Sequence, residues 1–232
     1  MRELILSVSL LIGCRGHDTP APAPAPTPAP APPADAEPDA RVIAPKSAAV
    51  LACPAGSKQV TRSRDTGSVS DPRVTELVCV TPDDQEQGPF ALYDTHGALA
   101  QEGSYDHREL DGAFTEYRDG IKYQDGQYAK GVMTGTWTLF YSSGKPDCVS
   151  ERANDQTVSL TCYSESGHVV ARGKSPNGTD QGLWEWFHDD GTPEAAALYK
   201  DGDGVSYWIW KHGTKVKATY DEFAATGTKP TK

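Results

Sequence analysis

Gly182-Leu183-Trp184-Glu185-Trp186-Phe187-His188-Asp189-Asp190-Gly191 is one statement of a phrase that the chain makes six times. The others open at Gly88 (Gly88-Pro-Phe90-Ala-Leu-Tyr93 to Gly97), Gly112 (Gly112-Ala-Phe114-Thr-Glu-Tyr117 to Gly120) and Gly135 (Gly135-Thr-Trp137-Thr-Leu-Phe140 to Gly144). Val158-Ser-Leu160-Thr-Cys-Tyr163 to Gly167 and Val205-Ser-Tyr207-Trp-Ile-Trp210 to Gly213 complete the set. Successive openings lie 24, 23, 23, 24 and 23 residues apart. A period in the twenties denotes an array of small supersecondary units.

The alternation inside one phrase names the unit. Counting from the opening residue as zero, position two is Phe90, Phe114, Trp137, Leu160, Trp184 and Tyr207, apolar in every copy. Position four is Leu92, Leu139, Cys162, Trp186 and Ile209, with Glu116 the exception, whereas position three is mostly small or polar. Two-residue alternation describes a strand with one buried face. The glycines that follow, as in Arg118-Asp119-Gly120, supply the positive φ of hairpin turns. A second tyrosine then recurs at Tyr105, Tyr128, Tyr199 and Tyr220 on the return. The expected architecture is all-β: an elongated antiparallel meander of about six hairpins over 88–222. A small disulfide-stapled cap over 48–87 precedes it and a tail over 223–232 follows.

Position five is aromatic throughout: Tyr93, Tyr117, Phe140, Tyr163, Phe187 and Trp210. Five is odd relative to two and four, so in a regular strand this ring points to the other face. Either a bulge re-aims it, or both faces carry an aromatic stripe. These six rings, with Trp184, Trp186 and Trp208, form the candidate binding face, since tryptophan and tyrosine are enriched at binding hot spots. The alternative is that the rings pack on one another and merely rigidify a thin sheet.

The phrase Gly-x-aromatic-x-x-aromatic, with its turn glycine and second tyrosine, resembles the MORN repeat, and more closely the bacterial MORN-repeat variant labelled antitoxin-like. The resemblance covers roughly residues 88–220 and implies a sheet of hairpins used for protein or lipid contact. Val158 and Val205 depart from the opening glycine and Leu160 from the ring, and Glu151–Gln156 is turn-rich, so the fourth copy fits least well.

The segment before the array reads as an address. Residues 1–13 pair Arg2 with the apolar run Leu4 to Ile12, the form of an export signal too short to span a bilayer. Leu11-Ile12-Gly13-Cys14 resembles the lipobox of bacterial lipoproteins, which implies cleavage before Cys14 and acylation there. Arg15 is not the aspartate of an inner-membrane retention signal, so the expected site is the outer membrane, the domain facing the periplasm or the surface. Within 14–47, Ala21 to Pro33 alternates proline and alanine, a semi-rigid spacer near polyproline II. The cap is read as two short β-rich runs, Val50–Cys53 and Val74–Val80, around a polar loop with Gly56, Gly67 and Pro72. With Cys14 assigned to lipid, four cysteines remain in a compartment where disulfides persist, and Cys53–Cys79 and Cys148–Cys162 are the expected pairs.

Composition excludes some functions. A net charge of −10 argues against nucleic acid, whose phosphates reward a basic face. Gly173-Lys174-Ser175 lacks the strand–loop–helix context of a phosphate loop. Asn177-Gly178-Thr179 is first of all a turn, and Asp201-Gly-Asp203-Gly lacks the later glutamate of a calcium loop. His96, His188 and His212 lie in turns, where no pocket assembles a catalytic pair. The reading is a non-enzyme with no cofactor and no metal: an envelope lipoprotein whose array binds or scaffolds protein, lipid or glycan. The alternatives are a purely structural envelope component and an antitoxin-like protein that neutralises a protein partner.

Overall fold

The computed structural model describes residues 50–65 and 73–228. The export signal, Cys14 and the proline-rich segment lie outside the described residues, as do Gly67 and Pro72 of the cap. The strands are β1 (Lys58–Asp65), β2 (Arg73–Val80), β3 (Glu86–Tyr93), β4 (Leu99–Asp106), β5 (Glu109–Leu110), β6 (Gly112–Arg118), β7 (Ile121–Ala129), β8 (Val132–Phe140), β9 (Pro146–Ala153), β10 (Gln156–Tyr163), β11 (Val169–Lys174), β12 (Gln181–Phe187), β13 (Pro193–Lys200), β14 (Asp203–Lys211) and β15 (Thr214–Ala218). A five-residue helix, α1 (Tyr220–Ala224), follows. The strands form one open antiparallel sheet in chain order, with β5 as a side branch on β4. The six phrases are the six hairpins β3–β4, β6–β7, β8–β9, β10–β11, β12–β13 and β14–β15. The expected all-β meander is therefore observed.

Two turn chemistries recur along the array. Two-residue turns such as Asp119–Gly120 and Asn154–Asp155 put both central residues at positive φ, the form whose twist matches antiparallel strands. The longer turns close through a second pattern, in which Ser164 N–H donates to the His168 carbonyl and Gly167 N–H to the Ser164 carbonyl, both at 2.8 Å.

The bulge question at position five resolves in an unexpected way. In five hairpins the register shifts immediately before that residue: Leu92/Tyr93, Glu116/Tyr117, Leu139/Phe140, Cys162/Tyr163 and Trp186/Phe187. The extra residue sits on the return strand, as where Leu92 pairs with Gln101 and Tyr93 with Leu99. The outgoing strand keeps its alternation, so the position-five ring stays on the face opposite positions two and four. Tyr93 accordingly packs with Leu77, Ala91 and Leu99, while Phe90 packs with Val78, Val80 and Phe114. Both faces carry rings.

A single sheet needs a way to bury the position-two rings without a second layer. Glycine provides it. A Cβ on Gly126 would lie 2.2 Å from the Trp137 ring, and one on Gly173 would lie 2.0 Å from the Trp184 ring. Each indole lies flat on the backbone and donates Nε1–H, to the carbonyls of Gln127 and Lys174 respectively, both at 3.2 Å.

Three local expectations are corrected. Val50–Cys53 is not a strand; it runs alongside the sheet, Leu51 packing against the Leu77–Tyr93 cluster, and the cap hairpin is instead β1–β2. Tyr220 is not on a return strand but opens α1. The tail boundary at 223 cuts that helix, whose Phe223 is only 2% exposed against Trp186 and Tyr207. Thr219 and Glu222 form a capping box at its start, each satisfying an amide of the first turn.

Candidate functional site

The candidate binding residues separate between the two faces. Tyr117, Phe140, Phe187, Trp208 and Trp210 share the position-five face and are half-buried. Cations lie over several of them: Lys122 Nζ is 5.4 Å from the Phe140 ring centre and Arg172 Cζ 5.4 Å from that of Phe187. Lys215 Nζ is 4.9 Å from Trp208 and 5.1 Å from Trp210. Tyr117 donates its hydroxyl to Glu102 at 2.8 Å. Tyr93 and Tyr163 belong to the same row but are sealed in, at 1% and 3% exposure. Burial pushes both phenols above their usual range, with Glu102 adding to the effect at Tyr93.

Trp184 and Trp186 do not join this group. They lie on the opposite face, stacked at 6.1 Å with Phe223 edge-on to Trp186, and form core. The same face carries the rings of the earlier hairpins: Phe90 on Tyr105 at 4.7 Å, Phe114 on Tyr128 at 5.3 Å and Tyr128 on Trp137 at 5.2 Å. The Cys148–Cys162 disulfide bridges directly opposed residues of β9 and β10 here. Cys53–Cys79 fastens the segment before β1 to β2.

The ring row on this second face breaks once, between Trp137 and Trp184. There the fourth hairpin has Leu160, which faces Ser150 on the preceding strand and Gly173 on the return strand. The break opens a groove of about 840 Å³ with Trp137 and Trp184 at its two ends and Leu160 between them. Its rim includes Ser175–Asp180, the longest link between described strands on that side of the array. Ser175 Oγ–H donates to Asp180 across this loop, and Asn177 and Gly178 take positive φ at its tip. Arg152 projects from β9 into the same wall. Its Nη1 donates to the Asp155 carbonyl at 3.3 Å, while its buried Nε has no hydrogen-bond partner among the described residues. Sequence reasoning recognised Leu160 as a departure from the pattern but not the groove.

The turn histidines His96, His188 and His212 are exposed. His96 is largely exposed beside Asp94. Ser166 Oγ lies 3.1 Å from His168 Nδ1, but that nitrogen also meets the Asp189 carbonyl at 3.1 Å, and both side chains are exposed. Ser164, Ser166 and His168 converge on that carbonyl and stitch one hairpin tip to the next. Tyr141, donating to the Tyr163 carbonyl at 2.6 Å, does the same one repeat earlier. Among the described residues no cluster of three His, Cys, Asp or Glu side chains is placed to hold a metal.

With this geometry in place, comparison with known families is informative about one unit. Residues 180–201 match the MORN repeat variant. The match spans the β12–β13 hairpin and its flanking turns, including Trp184 on its glycine bed. The other five hairpins share the spacing and strand pattern of this MORN-like unit. No curated protein matches the chain.

Proposed function

We propose that the chain is a non-catalytic binding or scaffolding module, held at the outer membrane by a lipid on Cys14, that engages an envelope partner through its position-five face. The observation that carries this reading is the row of half-buried rings Tyr117, Phe140, Phe187, Trp208 and Trp210, which no helix covers among the described residues. Rings of this kind offer large contact area at small entropic cost. The match to a MORN repeat variant supports a binding role in general terms. The anchor rests on the Leu11–Cys14 motif, and an intact mass of the membrane-extracted protein tests it: loss of residues 1–13 with added acyl groups is expected.

The partner-binding half is tested with Phe187→Ser and Trp210→Ser, singly and together, in the lipidated protein. In-cell crosslinking followed by affinity capture should yield a defined adduct that the double variant loses while its melting temperature stays close to wild type. Global unfolding of both single variants, with no adduct in the wild type, would instead assign the rings a purely structural role.

A further inference from the structure

We infer that the groove between Trp137 and Trp184 is a saccharide-binding site, taking a short stretch of a neutral glycan. This deepens the binding-module reading but uses the other face of the sheet, so the two stand or fall by different residues. The size fits first: about 840 Å³ lies within the range of small-ligand sites. The chemistry selects the class. The floor is apolar, made by Leu160, Leu139 and Cys148, with the nearly buried indoles of Trp137 and Trp184 at either end. Such a floor matches the C–H faces of a pyranose ring.

The rim supplies a donor in Arg152, acceptors in Asp155 and Asp180, and groups that do both in Gln124 and Gln156. A sugar hydroxyl donates and accepts, and so can satisfy all three kinds. The Asp155 carboxylate already accepts the Met133 amide at 2.7 Å through one oxygen, and that of Asp180 accepts from Ser175. Each side chain is thus fixed in place with its second oxygen available. An anionic ligand would meet both carboxylates. An apolar peptide side chain would strip water from Arg152, Asp155 and Asp180 on the rim without pairing them. A sugar hydroxyl offers an acceptor to the outer part of the half-buried Arg152 side chain and a donor to the carboxylates.

The position of the groove argues the same way. Filling it with the repeat's own chemistry takes only a ring at 160 and a glycine at 150, as at Trp137 with Gly126 and Trp184 with Gly173. The chain has neither, and places its longer loop beside the opening.

The test uses the full-length oxidised protein and four neutral probes: cellohexaose, maltohexaose, xylohexaose and N-acetylated chitohexaose. Binding is followed by tryptophan fluorescence and calorimetry. At least one probe should bind with a Kd on the order of 1 mM or tighter. Arg152→Ala should weaken it about tenfold, a change worth about 1.4 kcal/mol. Ser150→Gly with Leu160→Trp should abolish binding, and Trp210→Ser on the opposite face should leave it unchanged. If the ring-restoring pair does not fold, Gln156→Ala with Arg152→Ala takes its place with the same expectation. Failure of all four probes overturns the inference, as does binding that survives in folded groove variants. Saturable binding of an apolar peptide that groove variants abolish, with no sugar bound, would assign the groove to protein. Sugar binding lost only in Trp210→Ser would move the site to the position-five face.

Discussion

Gly173→Ala tests how this thin sheet buries its rings. Gly173 has an ordinary negative φ, so alanine carries no backbone penalty, and only the side chain matters. Its Cβ would lie 2.0, 2.2 and 2.4 Å from Cδ2, Cε2 and Cε3 of Trp184. Normal contact requires the indole to lift by roughly 1.5 Å, and overpacking of this kind costs about 1–3 kcal/mol. The lift also breaks the 3.2 Å bond from Trp184 Nε1–H to the Lys174 carbonyl, worth about 1 kcal/mol. Against this, alanine restricts the unfolded chain and returns about 0.5 kcal/mol. The expected net loss is about 3 kcal/mol by urea denaturation of the oxidised protein. Gly120→Ala is the control. Its Cβ meets nothing within 4 Å but its φ is +73°, so it should cost only about 1 kcal/mol. On a Trp184→Leu background, the cost of Gly173→Ala should shrink below about 1 kcal/mol, since the two effects are coupled through one contact. Equal losses for Gly173→Ala and Gly120→Ala, or full additivity with Trp184→Leu, would refute the account of rings bedded on glycine.

Three further outcomes follow from the geometry. Phe223→Ala empties the site between Trp186 and Tyr207 and should cost about 3 kcal/mol, read as a lowered urea midpoint with a red-shifted tryptophan emission. Cys148→Ser with Cys162→Ser should lower stability by about 3 kcal/mol on the chain-entropy model, read against the untouched Cys53–Cys79 bridge. Tyr199 contributes to an alkaline loss of stability, as does Tyr141, whose phenol burial also pushes up to about 12. Burial, with Asp180 second, pushes the Tyr199 phenol from 10.0 up to about 12, so between these values the folded state holds more protons than the unfolded state. Its contribution is complete below pH 10 and is lost as pH rises towards 12. The melting temperature should therefore fall less steeply over that range in Tyr199→Phe than in wild type.

Strand order was legible because the two-residue alternation and the turn glycines recur in every copy. The opposite orientation of position five was legible too, as parity. The return-strand bulges were not: the extra residues Ala100, Tyr123, Asp147, Val170 and Glu194 share no chemistry, and a bulge needs no special residue when its bond pattern is set by the partner strand. The glycine beds did leave a signal. Gly126 and Gly173 each precede their tryptophan by eleven residues, a correlation outside the six-residue phrase. The capping box of α1 was likewise present as Thr219-x-x-Glu222, too short a helix to show periodicity. Grouping Trp184 and Trp186 with Trp208 and Trp210 followed density along the chain, whereas face is decided by parity.

The break at Leu160 ties these strands of argument together. A one-layer sheet loses ring-on-backbone packing wherever position two is not aromatic, and the loss falls on β9 and β10, the strands on either side of the Ser150–Leu160 pair. Those are the two strands joined by Cys148–Cys162, two residues along from the missing ring. The bridge ties the Trp137 hairpin to the Leu160 hairpin, whereas the Trp184 hairpin packs through its rings and carries no disulfide. The covalent link thus holds a stretch of sheet that side-chain packing leaves open, and it keeps the groove floor in register without filling the groove. A packing defect without compensation would be indifferent to what lies around it. Here the defect is bridged by a disulfide, edged by a loop ordered through Ser175 and Asp180, and walled by the half-buried Arg152. That combination is the arrangement of a site held open at some cost to stability.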